Sequence, residues 1–191
     1  MEHHEDNMSD PHKTLTQVVR EGVERACSEF TARVTPLGFQ RAKRMFWIRR
    51  HPLAVELIHF HRHGSTYGAP RTASVDLRVH FGVRILNDGF PILALNGPFS
   101  DPGRLRSGRY HLRFNAQTDS TFERCVDDLV RFVAEQGEPW FQRFSGVEGL
   151  LELPDSPLNA EQKALLQAAQ AGHSNPNNVA KSLKILGIKS E

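Results

Sequence analysis

The sequence predicts an α+β domain: an antiparallel sheet of three to five strands with helices packed on one face, plus a C-terminal helical hairpin. Three observations carry this expectation. An apolar stripe at helical spacing precedes the strands. Alternating apolar and polar residues then recur between 40 and 115. Two short helical patterns follow residue 146. Consecutive strands joined by short turns pair antiparallel, which selects α+β over a parallel α/β sheet. The domain is expected over 13–146, the hairpin over 147–191, and a disordered polar tail over 1–12.

The first helix is predicted over 13–35. Leu15, Val19, Val23, Ala26, Phe30 and Val34 recur at spacings of three and four, and Pro36 and Gly38 stop it. Residues 40–50 read as one strand around Phe46 and Ile48, and His51-Pro52 as a turn. A second strand covers 53–62, broken by the glycines and proline of 64–70. The clearest pattern is 73–86, where Val75, Leu77, Val79, Phe81, Val83 and Ile85 alternate with Asp76, Arg78, His80, Gly82 and Arg84. That is a strand with one buried and one open face.

Residues 87–108 hold four glycines and three prolines, a loop length that is uncommon in compact domains and often functional. Its apolar stretch, 90–95, reads as a short strand or a flap. A fourth strand is predicted over 109–115. Ser120 and Glu123 form a capping-box pattern for a second long helix, with Gly137 and Pro139 interrupting it. The hairpin helices are expected at 158–171 and 176–186, with Pro176 in a first turn. So short a pair cannot bury its own stripes, so Leu165, Leu166, Leu183 and Leu186 should dock on the domain or on a second copy.

Composition narrows the class. The chain has 191 residues, 39% hydrophobic and 24% charged, as in globular proteins. It has no apolar run of about 18 residues, so no membrane helix is expected. The first thirteen residues lack the apolar core of a secretory signal, and a cytoplasmic location is expected. Cys27 and Cys125, each among helix-forming residues, read as reduced, partly buried thiols. The net charge of +2 conceals an asymmetry: residues 41–113 carry 13 Lys or Arg against 4 Asp or Glu. Arginine outnumbers lysine 18 to 6, which suits pairing with carboxylate or phosphate.

Several stretches carry a family resemblance: "PLGFQRAKRMFWIR" (36–49), "ELIHFHRHG" (56–64), "LRVHFGV" (77–83) and, more weakly, "EPWFQRF" (138–144). Over about residues 30–145 the chain resembles the bacterial domain-of-unknown-function 4304 family. The resemblance implies an α+β sheet domain and brings no established activity, so no catalytic residue is carried over. Where that family shows a glutamine in the second strand this chain has His61. Where it shows an asparagine in the third strand this chain has His80.

The candidate site follows from strand phase. In "HFHRHG" (59–64), His59, His61 and His63 fall at every second position and share one strand face. Arg78 and His80 share that face, and Arg109, His111 and Arg113 join it if the fourth strand pairs in the same sense. Val55 and Leu57 fall there too. These eight His and Arg residues are the expected ligand-binding set. Such a face changes charge between about pH 5 and 8 and would bind anions more strongly on acidification. The sharper alternative is zinc held by His59, His61 and His80, with water as fourth ligand, in a metal-dependent hydrolase. Against it, Glu56 lies on the wrong face and the nearby arginines repel a cation.

No phosphate-cradling loop, dinucleotide fingerprint or nucleophile elbow occurs. At the N-terminus, Met1-Glu2-His3 could supply four planar nitrogens to Cu(II) or Ni(II), a matter of chemistry and not of function. The expected function is a non-enzymatic binding module for an anionic macromolecule, an acidic protein surface or nucleic acid. No cofactor and no membrane are expected, and self-association would be through the hairpin.

Overall fold

The computed structural model describes residues 13–63, 70–100 and 109–189. The N-terminal tail with its Met1-Glu2-His3 motif, the break expected at 64–69 and the 101–108 part of the expected long loop lie outside the described residues.

Helix α1 (Leu15–Val34) begins at a reciprocal cap. Thr14 Oγ1 accepts the Gln17 N–H, and the Gln17 side chain accepts the Thr14 N–H. Gly38, at φ 89°, closes the turn that follows. Five strands then form one antiparallel sheet in sequence order: β1 (Gln40–Lys43), β2 (Phe46–Arg50), β3 (Ala54–Arg62), β4 (Ser74–Ile85) and β5 (Arg113–Asn115). The single strand expected over 40–50 is thus a hairpin. Its turn at Arg44-Met45 has no glycine or proline, and Arg41 holds it by donating to the Arg44 carbonyl. The strand expected over 109–115 is shorter, though the Leu112 carbonyl still accepts the Leu77 N–H at 2.9 Å.

After β5 the chain departs from the expected cap. The Ser120 carbonyl accepts the Asn115 N–H, tying Ser120 into a turn, and Thr121 takes a left-handed backbone at φ 63°. Helix α2 (Phe122–Phe132) therefore starts without a side-chain cap. Gly137 and Pro139 do not end the helical run. A π-turn (Val133–Gly137) carries it into α3 (Glu138–Arg143), with Pro139 in the first turn of α3. Gly137 is required by packing, because a Cβ there would lie 2.8 Å from Phe81 Cζ. Three further helices follow: α4 (Val147–Glu152), absent from the sequence expectation, α5 (Ala160–Gln170) and α6 (Pro176–Leu186).

The main core lies between one face of the sheet and helices α1 and α2. Ile58, Phe60, Leu77, Val79 and Phe81 meet Val23, Phe30, Val126 and Leu129 there. Trp47 is fully buried against Phe30 and donates its Nε1–H to Thr31 Oγ1. Cys27 and Cys125 are free and buried, and burial pushes their thiols up to about 11 and about 12. Glu56, on the core face, pairs with Arg49, which also reaches Glu138 at 3.0 Å and so ties β2 and β3 to α3.

The hairpin docks on this same chain. Leu150, Leu158 and Leu166 belong to the main core. Leu186 instead lies on the opposite face of the sheet, over Phe46, Ile48, Val55 and Leu57. That face, taken as open in the sequence, is open over only part of its extent. Among the described residues, no helix is long and apolar enough to cross a membrane.

Candidate functional site

Antiparallel register brings the predicted histidines together. His59 pairs directly with His80, and His61 with Arg78, across β3 and β4. Directly opposed residues share a face, so all four project away from the main core. Their rings form a continuous aromatic row across the sheet. Phe46 meets His59 at 6.1 Å, His59 stacks with His61 at 6.3 Å, His61 meets His80 at 4.8 Å, and His80 stacks on Phe99 at 5.3 Å.

Phe99 owes its place to the long loop. Residues 96–100 run along the edge of β4 beyond the reach of β5. The Asn96 side chain accepts the Val83 N–H and donates to the Val83 carbonyl, as a backbone amide would. Gly97 N–H donates to the Phe81 carbonyl, and Ser100 N–H to the Val79 carbonyl. A Cβ at Gly97 would come within 2.7 Å of the Trp140 ring, so glycine lets the segment approach. The apolar stretch 90–95 forms no strand. Leu93 packs against the cluster under Leu186, while Phe90, Ile92 and Leu95 stay exposed, as does Phe99.

Electrostatics sets the resting state of the row. Burial holds the His59 imidazole below the ordinary histidine value, and His61 and His80 add to the effect. Burial does the same to His61, beside Arg78 and His63, and to His80, beside His61. The row is neutral at neutral pH. Arg78 is 9% exposed and reaches Asp76 at 3.4 Å, yet its Nε has no partner; nor does the buried Nδ1 of His59. Buried donors and acceptors left unsatisfied cost about 1–3 kcal/mol each.

The remaining predicted residues divide. His63 is exposed at the end of β3, its N–H on the Asp76 carbonyl. Arg113 pairs across from Asp76 and so keeps to the histidine face. Arg109 does not join it: its guanidinium binds Glu135 of the π-turn at 2.6 Å, on the helical side. The His111 N–H donates to Asp128 of α2, so this backbone belongs to the helix contact and not to a strand. Sequence phase missed Phe99, whose role depends on where the loop returns.

Where the covered and open parts of the face meet, a groove of about 650 Å³ opens. His59, His61 and Phe46 contribute from the sheet, Leu93 from the loop and Ile185 from α6.

Among the described residues, no three His, Cys, Asp or Glu side chains are placed to hold a metal ion. His59 and His61 stack at 22° between ring planes, whereas His61 and His80 are tilted at 44°. No family model, curated protein or solved structure matches the chain.

A pH dependence follows. Each of the three histidines has a folded-state value below 6.5, so on acidification the unfolded chain takes up protons first. Stability is fully present above the unfolded value and is lost as pH falls toward the folded ones. The melting temperature should drop between about pH 7 and 5, and replacing His59 and His80 by glutamine should flatten that drop. Thermal melts across that range test it; an equally steep profile in the double variant would show that other groups carry the effect.

Proposed function

We propose that the protein is a non-enzymatic module that recognises an acidic segment of a protein partner through the His59–His61–His80–Arg78 face. One observation supports this reading above others: buried nitrogens of His59 and Arg78 lack partners beside a row of neutral imidazoles. Among the described residues, Asp76 is the carboxylate that shares that part of the face, and Arg78 already engages it. A carboxylate from outside would accept hydrogen bonds from the imidazoles and raise their proton affinity, so binding takes up protons and strengthens on acidification.

A protein is favoured over nucleic acid by what surrounds the row. Phe90, Ile92, Leu95 and Phe99 are exposed on the adjoining loop, and Phe99 is itself stacked on His80. Such apolar exposure suits a protein interface, whereas a phosphate backbone calls for several available cations. Poly-L-glutamate should bind at low salt, more tightly at about pH 6 than at neutral pH. Arg78→Ala and His80→Gln should each weaken it by about tenfold, the value of one hydrogen bond to a charged group. Binding that is absent at low salt, or unchanged in both variants, rejects the site. An oligonucleotide that binds more tightly than polyglutamate rejects the protein partner.

A further inference from the structure

We infer that the groove beside the histidine row binds an amphipathic monoanion, an alkyl or aryl body carrying one acidic head. The inference rests on the reading of the same histidines as anion donors and adds a small-molecule ligand to it. The groove's 650 Å³ falls within the range of about 300–1,000 Å³ typical of small-ligand sites. Such sites combine an apolar lining with a few polar groups that fix orientation. Met45, Phe46, Leu93 and Ile185 supply the apolar part here. Leu93 and Phe46 are anchored in the second apolar cluster, so the wall is preformed.

The polar part has one sign. Lys43, Arg44 and Arg62 line the groove with His59 and His61, and no described acidic residue does. A cationic rim over an apolar floor excludes a cationic amphiphile and leaves a neutral one without compensation for the charges. Lys43 Nζ donates to the Ile185 carbonyl, which joins the β1–β2 hairpin to α6 across the groove. Arg44 is exposed on the same hairpin turn and lines the groove; its charge acts on Glu24 of α1, with which it makes no direct ion pair. His59, whose buried Nδ1 is without a partner, lines the same groove. One exposed guanidinium and one imidazole match a single acidic head, which a guanidinium can bind through both oxygens.

The probe is decanoate, titrated below its micelle concentration into the full-length protein and followed by NMR at the Met45 methyl and the His59 imidazole. Decanol and decyltrimethylammonium are the controls, with polyglutamate titrated in parallel. Decanoate should saturate and move both signals, with decanol at least about tenfold weaker and the cationic amphiphile silent. Arg44→Glu, an exposed replacement, should weaken decanoate by about tenfold or more. Leu93→Trp, which fills the groove, should abolish decanoate binding and leave polyglutamate binding in place. The inference is overturned if decanoate does not saturate, if decanol binds as tightly, or if neither replacement changes decanoate affinity. Decanoate binding without polyglutamate binding removes the protein partner and keeps the groove ligand. Polyglutamate binding without decanoate binding does the reverse.

Discussion

A chain ended after Gly146 is expected to lose its cooperative unfolding transition. The segment 147–189 contributes Leu150, Leu158 and Leu166 to the main core, each no more than 5% exposed, and fully buries Leu186 on the opposite face. Truncating one buried leucine to alanine costs about 2–5 kcal/mol. Leu186 belongs to a different cluster from the other three, so its loss adds to theirs. Four such losses reach or exceed the roughly 5–15 kcal/mol that holds a domain folded. Lost with them are the Asn87 hydrogen bonds to Leu165 and Asn175, which tie the end of β4 to both hairpin helices. Phe46, Ile48, Val55 and Leu57 would then face water as one apolar patch and promote association. Circular dichroism melts of the full and shortened chains decide it. A shortened chain that melts cooperatively at the same temperature would show that the hairpin adds no stability.

Arg84→Met should lower the melting temperature by roughly 10 °C. Arg84 is 3% exposed and makes four hydrogen bonds: to Ser182 Oγ on α6 at 3.0 Å, and to the carbonyls of Asp88, Phe90 and Ile92 at 3.0, 2.8 and 3.1 Å. Asp88, 4% exposed, lies 3.8 Å away as its counter-charge. One guanidinium thus joins β4, the long loop and the last helix. Methionine restores much of the volume but leaves the Phe90 and Ile92 carbonyls without that donor, the Asp88 carbonyl with Ser182 alone, and Asp88 without its cation. Removing one partner of a buried charge pair costs about 3–5 kcal/mol. In a chain of this size each kcal/mol shifts the midpoint by about 2–4 °C. Ser182→Ala removes the acceptor of the Arg84 Nε–H and a donor to the Asp88 carbonyl but keeps the charge pair, and should cost less, about 1–3 kcal/mol. Equal effects from the two replacements, or none from Arg84→Met, would contradict this account.

Strand phase was readable because period two is a strong local signal. The alternation over 73–86 places every apolar residue of β4 in the main core, and His59 and His61 do share one face. Val55 and Leu57, apolar at positions in phase with the histidines, already signalled that part of this face is covered. What covers it comes from residues 93 and 186, and such long-range contacts leave no local period. Arg84 shows the same limit. In sequence it is one more polar residue of an alternating strand, yet it is buried because 88–92 and Ser182 fold over it. The turn at Arg44-Met45 lacks the usual turn residues and is held by a side chain, so 40–50 read as one strand. Ser120 had the composition of a cap, but its carbonyl was claimed by Asn115. Arg109 had the right phase, and Glu135 drew it to the other side.

The two segments that complete the edge of β4 also bear on how the chain behaves among its own copies. A bare strand edge is a template on which another molecule can build cross-chain pairing. Here β5 occupies one end of that edge, and residues 96–100 another stretch of it, with Asn96 and Ser100 side chains standing in as ladder partners. The opposite border is β1, four residues long, interrupted by a register shift between Arg41 and Lys43, and carrying both of those charges. Short, irregular and charged, it offers little to extend. The long loop thus guards against fibrous self-pairing as well as presenting Phe99, and a change that loosened Asn96 would endanger solubility before it endangered the histidine row.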